Sequence, residues 1–371
     1  MSERAEKPVP GATGTRESPA LAPDQLVRPE ILEIQAYHVG ESAGMVKLDA
    51  MENPFPLPEV LRNKLGEVLA RVDLNRYPDS GAALLRAKLR EKMHVPDGME
   101  LLLGNGSDDL IQIMTVALAR PGAVLMYPAP NFVMYSMDAV FSGMKAVPVP
   151  VRADFSLDMP LFIEAIKEYR PALVFIAYPN NPTGALYREQ DVVAILNAAE
   201  GLVVLDEAYH VFAQKSFMSR LPEFANLAVL RTVSKLGLAG IRLGYLAARP
   251  AWIEQFNKVR QAYNVNSLTQ AAALFLLDHL DVLEAQAARL RSERAVLSVA
   301  LVALPGVTVF PSEANFLLVR VPDAARAFEG LKQQGVLVRS VNAGATRDCI
   351  RVTVGTPEEN RILLAALRDI L

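Results

Sequence analysis

The stretch Leu227–Tyr245, LAVLRTVSKLGLAGIRLGY, places one lysine in a polar turn that follows a short apolar run, just before glycines. The run Leu227–Leu230 is short and dense enough for a buried strand, and a polar turn with two glycines follows it. A second apolar run, Leu243–Ala248, begins too soon for the roughly dozen residues that a parallel crossover needs. The stretch therefore predicts two antiparallel neighbouring strands, with Lys235 in the turn between them.

Strand-like runs alternate with helix-like segments through most of the chain. The runs are Leu101–Leu103, Ala123–Tyr127, Ala146–Val151, Leu173–Ala177, Leu202–Asp206, Leu227–Arg231 and Leu243–Ala248. Such alternation predicts an α/β domain with a mostly parallel seven-stranded sheet between helices.

A second pattern begins after residue 250. Ala251–Leu301 contains neither Pro nor Gly and is helix-compatible throughout, so it can carry the chain out of the first domain. Short strand-like runs then lie between two helices and predict a smaller α+β domain: Val307–Phe310, Phe316–Val321, Val336–Val338 and Cys349–Val354.

The predicted domain limits follow from these patterns. Residues 1–25 are rich in Pro, Gly, Ala, Ser and Thr, so we expect a disordered tail. We expect residues 26–55 to form an N-terminal arm that joins the small domain. Residues 56–292 would then form the large domain and residues 293–371 the small one.

Composition narrows the class of protein. The 371 residues are 51% hydrophobic and 21% charged, with a net charge of -3, which is typical of a globular protein and argues against nucleic-acid binding. No apolar stretch approaches the roughly 20 residues that cross a bilayer. Cys349 is the single cysteine, so we expect a reducing, cytoplasmic location. The four histidines show no metal-ligand spacing, and the sequence contains neither a Walker A nor a G-x-S-x-G pattern.

Chemically versatile segments follow five of the predicted strands. In open α/β sheets, ligands bind beyond the carboxyl ends of the strands. Each segment alone has a plain reading as a helix cap, a turn or a core residue, but together they predict one site that offers an anion seat, an aromatic face, an amide, a carboxylate and an amine. The segments are Gly104–Asp109, Pro128–Phe132, Tyr178–Gly184, Asp206–Tyr209 and Ser234-Lys235.

The same residues resemble the class I/II aminotransferases of PLP fold type I, over about residues 27–371. The resemblance rests on Asn-Pro-Thr-Gly at 181–184, Asp206 with Tyr209, Ser234-Lys235 before Gly-Leu-Ala-Gly-Ile-Arg242, and Arg351 before Gly355–Asn360. Within this family, the histidinol-phosphate aminotransferases are the most similar group, through Glu52–Phe55, Asn75–Asp79, Gly104–Asp108, Ala314–Phe316 and Val336–Arg339.

The resemblance implies pyridoxal 5'-phosphate (PLP) as cofactor and assigns roles around its ring. Lys235 would bind the cofactor aldehyde covalently and then carry the proton that moves in the reaction. Asp206 would pair with the ring nitrogen and keep it protonated. Asn181 and Tyr209 would hydrogen-bond the ring oxygen, and Phe132 would stack on the ring face.

Further roles concern the cofactor phosphate and the substrate. The phosphate would be held at Ser107, Asp108, Ser234 and Arg242, with Tyr77 reaching it from a second subunit, which implies a homodimer with shared active sites. Substrate anions would meet Arg351 assisted by Arg339, with Asn315 and Tyr37 as further contacts. The loop after Lys235 is one residue shorter than is common in the family, so Arg242 follows the lysine by seven positions.

The implied reaction is transamination between histidinol phosphate and 2-oxoglutarate, which gives imidazole-acetol phosphate and glutamate in histidine biosynthesis. Its small-molecule substrates are thus a phosphate ester and a dicarboxylate. Three alternatives stay open: an aminotransferase for aromatic or other amino acids, a PLP lyase similar to threonine-phosphate decarboxylase, and a non-catalytic regulatory domain. The last is the least favoured, because Lys235, Asp206 and Asn181 are all present.

Overall fold

The computed structural model describes residues 21–36 and 40–371. The chain divides into two units, residues 1–40 and residues 41–371. In the first unit, two single-turn helices are described, α1 (Pro23–Leu26) and α2 (Pro29–Leu32), each with a proline in its first turn. Proline suits that position because its missing N–H has no intrahelical partner there. Only residues 21–25 of the predicted tail are described, and its limits stay a prediction.

The strands of the second unit have the following bounds. They are β1 (Val46–Lys47), β2 (Glu100–Gly104), β3 (Val124–Ala129), β4 (Lys145–Pro150), β5 (Leu173–Ala177), β6 (Leu202–Asp206), β7 (Leu227–Thr232), β8 (Gly244–Ala248), β9 (Thr308–Val309), β10 (Phe316–Arg320), β11 (Val336–Leu337), β12 (Arg339–Ser340) and β13 (Cys349–Thr353).

The α-helices of the second unit are α3 (Glu59–Leu69), α4 (Ala83–Lys92), α5 (Ser107–Leu118), α6 (Val133–Ser142), α7 (Met159–Tyr169), α8 (Glu189–Ala198), α9 (His210–Ala213), α10 (Pro250–Val259), α11 (Ser267–Leu276), α12 (Leu280–Val302), α13 (Ala324–Gln333) and α14 (Pro357–Ile370). Local sequence explains several of their ends. At α14, for example, the Thr356 hydroxyl accepts from the backbone N–H of Glu359, and the Glu359 side chain accepts from the Thr356 N–H.

The predicted α/β fold is confirmed, with all seven predicted strands in one sheet. Their order is β2-β8-β7-β6-β5-β3-β4. β8 is antiparallel to β7, as the short connection after Lys235 predicted, and it is also antiparallel to β2. The other pairs are parallel. The carboxyl ends of β2, β3, β5, β6 and β7 therefore meet at the same edge.

Both faces of this sheet are buried, and successive side chains of a strand point to opposite faces. In β5, Val174 and Ile176 pack into one core cluster, whereas Leu173 and Phe175 pack into the cluster on the opposite face. A strand that is covered on both sides reads as a continuous apolar run, and this is why β5, β6 and β7 could be recognised in the sequence.

The segment after residue 250 is not helical throughout, although its composition is helix-compatible. α10 ends at Val259, and α11 begins only at Ser267. Between them Tyr263 has a left-handed backbone with φ of 62°. Asn266 caps α11 by accepting from the backbone N–H of Thr269. Asparagine favours such caps over helix interiors, so it breaks the helix without Pro or Gly.

The C-terminal strands form two smaller sheets. A four-stranded antiparallel sheet has the order β12-β13-β10-β9, and β11 instead pairs in parallel with β1. β1 and β12 are two residues each and were not predicted. α12 runs through the predicted boundary at residues 292/293, and both predicted domains lie in the second unit. The limits of the arm, the large domain and the small domain stay predictions.

Candidate active site

A cavity of about 400 Å³ opens at the carboxyl edge of the large sheet. Its walls come from segments that follow β2, β3, β5, β6 and β7, together with residues 50–52. The predicted site residues that line it are Ser107, Asp108, Phe132, Asn181, Asp206, Tyr209, Ser234, Lys235 and Arg242. The strand ends thus bring together the anion seat, aromatic face, amide, carboxylate and amine expected from the sequence.

Lys235 lies in a 3-10 turn, Ser234–Leu236, directly after β7. Its side chain is partly buried, and Nζ donates a hydrogen bond of 2.9 Å to the carbonyl of Ala50. Burial, and next the positive charge of Arg351, lower the pKa of Lys235 to about 8. Near neutral pH a useful fraction of this lysine is therefore a free amine, which is what a nucleophile or proton carrier requires.

Asp206 is the last residue of β6 and is only 6% exposed. Its Oδ2 accepts a hydrogen bond of 2.7 Å from the hydroxyl of Tyr135, and its Oδ1 accepts one of 3.1 Å from the backbone N–H of Ala208. Burial raises the pKa of Asp206 to about 6, although both hydrogen bonds act in the opposite direction. The carboxylate is thus oriented and lies where a cationic partner would be strongly attracted.

The predicted anion seat lies where β2 leads into α5. Gly106 has φ of 88°, and a Cβ there would lie 2.6 Å from Nη2 of Arg242, so the glycine lets the guanidinium approach the helix N-terminus. Nη2 of Arg242 also lies 3.7 Å from Oδ2 of Asp108. The shorter loop therefore does not keep Arg242 from the predicted phosphate seat.

Two hydroxyl groups and the carboxylate of Asp109 lie beside this predicted seat. The Ser234 and Thr232 hydroxyl oxygens lie 2.8 Å apart at the end of β7. Oδ2 of Asp109 accepts from the backbone N–H of Asn105 at 2.8 Å and from Nδ2 of Asn264 at 3.0 Å. Asp109 thus fixes the loop that leads into α5.

Asn181 connects the cavity to the four-stranded sheet. Its Oδ1 accepts a hydrogen bond of 2.6 Å from Nη1 of Arg351, which lies on β13. The Arg351 guanidinium also lies over the ring of Phe316, 5.5 Å from its centroid. Tyr209 packs against the same ring with 5.2 Å between centroids. Arg351 does not line the cavity itself, but it contacts Asn181, which does.

A segment that the sequence reasoning did not assign, Asp49–Met51, holds three predicted site residues through consecutive carbonyls. The carbonyl of Asp49 accepts from Nη2 of Arg351 at 2.6 Å, that of Ala50 from Lys235, and that of Met51 from Nδ2 of Asn315 at 2.9 Å. Backbone contacts of this kind leave no trace in side-chain identity. The φ of 55° at Met51 likewise has no sequence signal.

Of the predicted site residues, Arg351 and Asn315 bind the Asp49–Met51 carbonyls without lining the cavity, and three more lie elsewhere or are not described. Tyr77 is 81% exposed, and its ring stacks on Tyr263 with 4.5 Å between centroids, away from the cavity wall. Arg339 lies on β12 opposite Arg351 and also does not line the cavity. Tyr37 lies outside the described residues.

Tyr135 is a site-related residue that the sequence reasoning missed. It follows the predicted stacking residue Phe132 by three positions, and this spacing places both on one side of the start of α6. This spacing is the sequence signal by which Tyr135 could have been found.

Across residues 21–36 and 40–371, no cluster of three or more His, Cys, Asp or Glu side chains is arranged to hold a metal ion. In the same ranges, no helix is long and apolar enough to cross a membrane.

The cavity, its lysine and the surrounding fold define a class of protein. The family model described as "Aminotransferase class I and II" matches residues 43–367, and the chain belongs to this family. The predicted family is thereby confirmed.

Particular relatives narrow the comparison. The chain is 56% identical over 350 residues to the histidinol-phosphate aminotransferase of Chromobacterium violaceum, covering 94% of this chain and 98% of the relative. It is 56% identical over 349 residues to histidinol-phosphate aminotransferase 1 of Ralstonia nicotianae, covering 92% and 93%. The solved histidinol-phosphate aminotransferase of Sinorhizobium meliloti, a complex with pyridoxal-5'-phosphate, shares the fold with a TM-score of 0.83 at 23% identity, covering 93% and 97%.

Proposed function

We propose that this aminotransferase catalyses PLP-dependent transamination between histidinol phosphate and 2-oxoglutarate, as a step of histidine biosynthesis. The observation that carries the proposal is the cavity in which Lys235, Asp206 and the Arg242 seat line one space. The particular substrate rests on the relatives at 56% identity, whose names state this activity. The family supports PLP as the cofactor.

The residues of the cavity fit this cofactor. Its phosphate needs concentrated donors, and the N-terminus of α5 beside Arg242 and Ser234 provides them. The space that Gly106 leaves for the Arg242 guanidinium is one such fit, because any side chain there would displace it. The buried carboxylate of Asp206 suits a protonated ring nitrogen, and the ring of Phe132 in the cavity wall suits an aromatic face.

The chain's own residues would then perform the proton chemistry. When bound, PLP supplies an aldehyde that joins amines and a ring that withdraws electrons from the carbon losing a proton. Lys235, whose pKa is about 8, would accept and return that proton. Asp206 would stabilise positive charge at the ring nitrogen. Asn181 uses Oδ1 for Arg351, so its amide N–H groups remain to serve the ring oxygen, together with Tyr209.

Substrate anions would bind at Arg351. Its planar guanidinium suits both a carboxylate and a phosphate, and transamination brings the two anions to the site alternately. Arg339, Asn315 and Tyr37 would assist. The amide oxygen of Asn315 is buried and has no hydrogen-bond partner among the described residues, so it would accept from an N–H or O–H group of the substrate and not contact its anion.

A homodimer with shared sites would explain the position of Tyr77. An aromatic ring that is 81% exposed, yet held in a stack with Tyr263, is suited to pack against another copy of the chain. In that arrangement Tyr77 would complete the phosphate seat of the partner. We also propose a cytoplasmic location, supported by Cys349, which is a free and buried thiol.

The decisive experiment separates the reaction into halves. Purified protein is loaded with PLP, mixed with one amino donor in the absence of any keto acid, and followed by loss of the cofactor's visible absorbance and by release of CO₂. The donors are histidinol phosphate, glutamate, phenylalanine and threonine phosphate. We expect rapid bleaching without CO₂ by histidinol phosphate and by glutamate.

Other outcomes would contradict the proposal in distinct ways. A faster reaction with phenylalanine would favour an aromatic aminotransferase, and CO₂ release from threonine phosphate would favour the decarboxylase alternative. A protein that gains no absorbance with PLP would refute the cofactor assignment. Lys235→Ala is the control variant, and we expect it to lose turnover by several orders of magnitude because both covalent binding and proton transfer need the amine.

A further inference from the structure

We propose that Tyr135 is a positioning residue for the reaction. Its hydroxyl donates a hydrogen bond to Oδ2 of Asp206 and so holds this carboxylate in an orientation toward the cavity. A role in catalysis for Tyr135 rests on the proposed PLP-dependent function. The hydrogen bond itself, 2.7 Å between the two oxygens, is a property of the protein alone. It joins α6 to the end of β6.

The ring of Tyr135 is held rigidly on several sides. The side chain is fully buried, and its ring stacks on Phe175 with 4.4 Å between centroids and 5° between planes. Phe132 meets it edge to face at 5.8 Å, and Tyr127 lies at 6.1 Å. Such packing allows one orientation of the hydroxyl, so the donor is placed before any ligand arrives.

The hydroxyl can only act as the donor in this pair. Burial, and next the charge of Asp206, raise the pKa of Tyr135 well above its ordinary value, with Tyr209 and Asp108 acting in the same direction. The phenol therefore stays protonated over the working range of pH. A tyrosine that keeps its proton is a permanent hydrogen-bond donor to the carboxylate.

The carboxylate needs this donor because its surroundings disfavour a negative charge. Burial is the largest cause of the raised pKa of Asp206, and the nearby acids Asp108 and Glu207 raise it further. The Tyr135 hydroxyl and the N–H of Ala208 are the two groups that lower it. Each of these groups donates one hydrogen bond to a different carboxylate oxygen, so the oxygens can still accept another from the ring nitrogen of PLP.

Tyr135→Phe tests the proposal against a matched control. Tyr187 is also a buried tyrosine, but its hydroxyl has no hydrogen-bond partner within the described part of the chain, so Tyr187→Phe removes a hydroxyl without removing such a bond. Two quantities are measured for each variant. One is the titration midpoint of Asp206 in the apoprotein, from infrared or NMR signals of labelled aspartate assigned with Asp206→Asn. The other is the Kd for PLP.

The expected result is specific to Tyr135. Loss of one hydrogen bond to a charged group corresponds to about a tenfold change, so Tyr135→Phe should raise the Asp206 midpoint by about one pH unit and weaken PLP binding by about tenfold. Tyr187→Phe should change neither quantity. In the Asp206→Asn background, adding Tyr135→Phe should weaken PLP binding no further, because the negative charge that it supports is already absent.

Several results would overturn the proposal. An unchanged Asp206 midpoint in Tyr135→Phe would do so, as would equal effects of the two tyrosine variants. A further loss of PLP affinity in the double variant would show that Tyr135 acts by packing and not through Asp206. If the wild-type protein binds no PLP, the proposed function fails, yet the apoprotein midpoint still tests the hydrogen bond. If Tyr135→Phe does not fold, 3-fluorotyrosine replacement should lower the midpoint, since a more acidic phenol is a stronger donor, and no movement would refute the role.

Discussion

The amine of Lys235 should titrate far below an ordinary lysine, and Arg351 should be part of the reason. Burial and then Arg351 lower its pKa from 10.5 to about 8. At pH 7.5 about a quarter of the side chain is then neutral, against about 0.1% for an unperturbed lysine, a gain of about 200-fold in free amine. Arg351→Gln removes the neighbouring positive charge and should move the midpoint upward, while the effect of burial remains.

Trace acetylation of the apoprotein measures this midpoint directly. A limiting amount of acetic anhydride is added at pH values from about 6 to 11, and mass spectrometry quantifies the Lys235 peptide relative to the exposed Lys64. Arg320→Gln serves as the matched control, because Arg320 lies on β10 of the same small sheet but contacts Phe310 and the carbonyl of Arg347. A native midpoint near 10.5 would refute the reasoning. An equal shift in both arginine variants would remove Arg351 from the explanation.

Three further predictions concern the seat, the core and the buried acid. Gly106→Ala should weaken PLP binding by about tenfold or more in calorimetry, because φ is 88° and the new Cβ would lie 2.6 Å from Arg242. Arg231→Met should lower the free energy of unfolding in urea by about 3–5 kcal/mol, because it leaves the fully buried Glu207 carboxylate without its ion partner. The apoprotein should lose up to about 3 kcal/mol of stability as pH rises from about 4 to 6, since the folded pKa of Asp206 is raised from 3.8 to about 6, and Asp206→Asn should abolish that part of the slope.

Each of these predictions has a control. Gly66→Ala should leave PLP binding unchanged, because a Cβ at Gly66 in α3 meets nothing within 4 Å. Arg170→Met removes the exposed ion pair with Glu200 and should not change the unfolding midpoint measurably. The pH series is read at constant ionic strength, and a stability that falls between pH 4 and 6 by the same amount in the wild type and in Asp206→Asn would contradict the assignment.

The sequence was informative where the identity of a side chain or the pattern of apolar residues decides the structure. Buried strands such as β5 and β6 were recognised within a residue of their ends, because a run covered on both faces contains only apolar residues. The strand-end polar residues that line the cavity were found for a similar reason: a lysine, an aspartate and a glycine turn at the same sheet edge are rarely there by chance.

The sequence was uninformative where backbone or pairing decides the structure. β12 is two residues long, and only its hydrogen bonds to β13 make Arg339–Ser340 a strand. The break between α10 and α11 depends on one left-handed residue, Tyr263, and on a capping asparagine within an otherwise helix-compatible segment. The packing of Tyr135 on Phe175 joins residues far apart in the chain, so no local pattern could place its hydroxyl on Asp206.

The carbonyls of Asp49–Met51 bear on how the site can release what it binds. Arg351, Lys235 and Asn315 each donate to one of them, so three groups proposed for cofactor and substrate are already hydrogen-bonded within the protein. A buried donor left without a partner would cost about 1–3 kcal/mol. An incoming anion therefore exchanges hydrogen bonds with this segment and does not simply add new ones, which lowers the net gain on binding. An enzyme that must expel one anion before it accepts the next benefits from that exchange, since tight binding of either would slow the other half of the reaction.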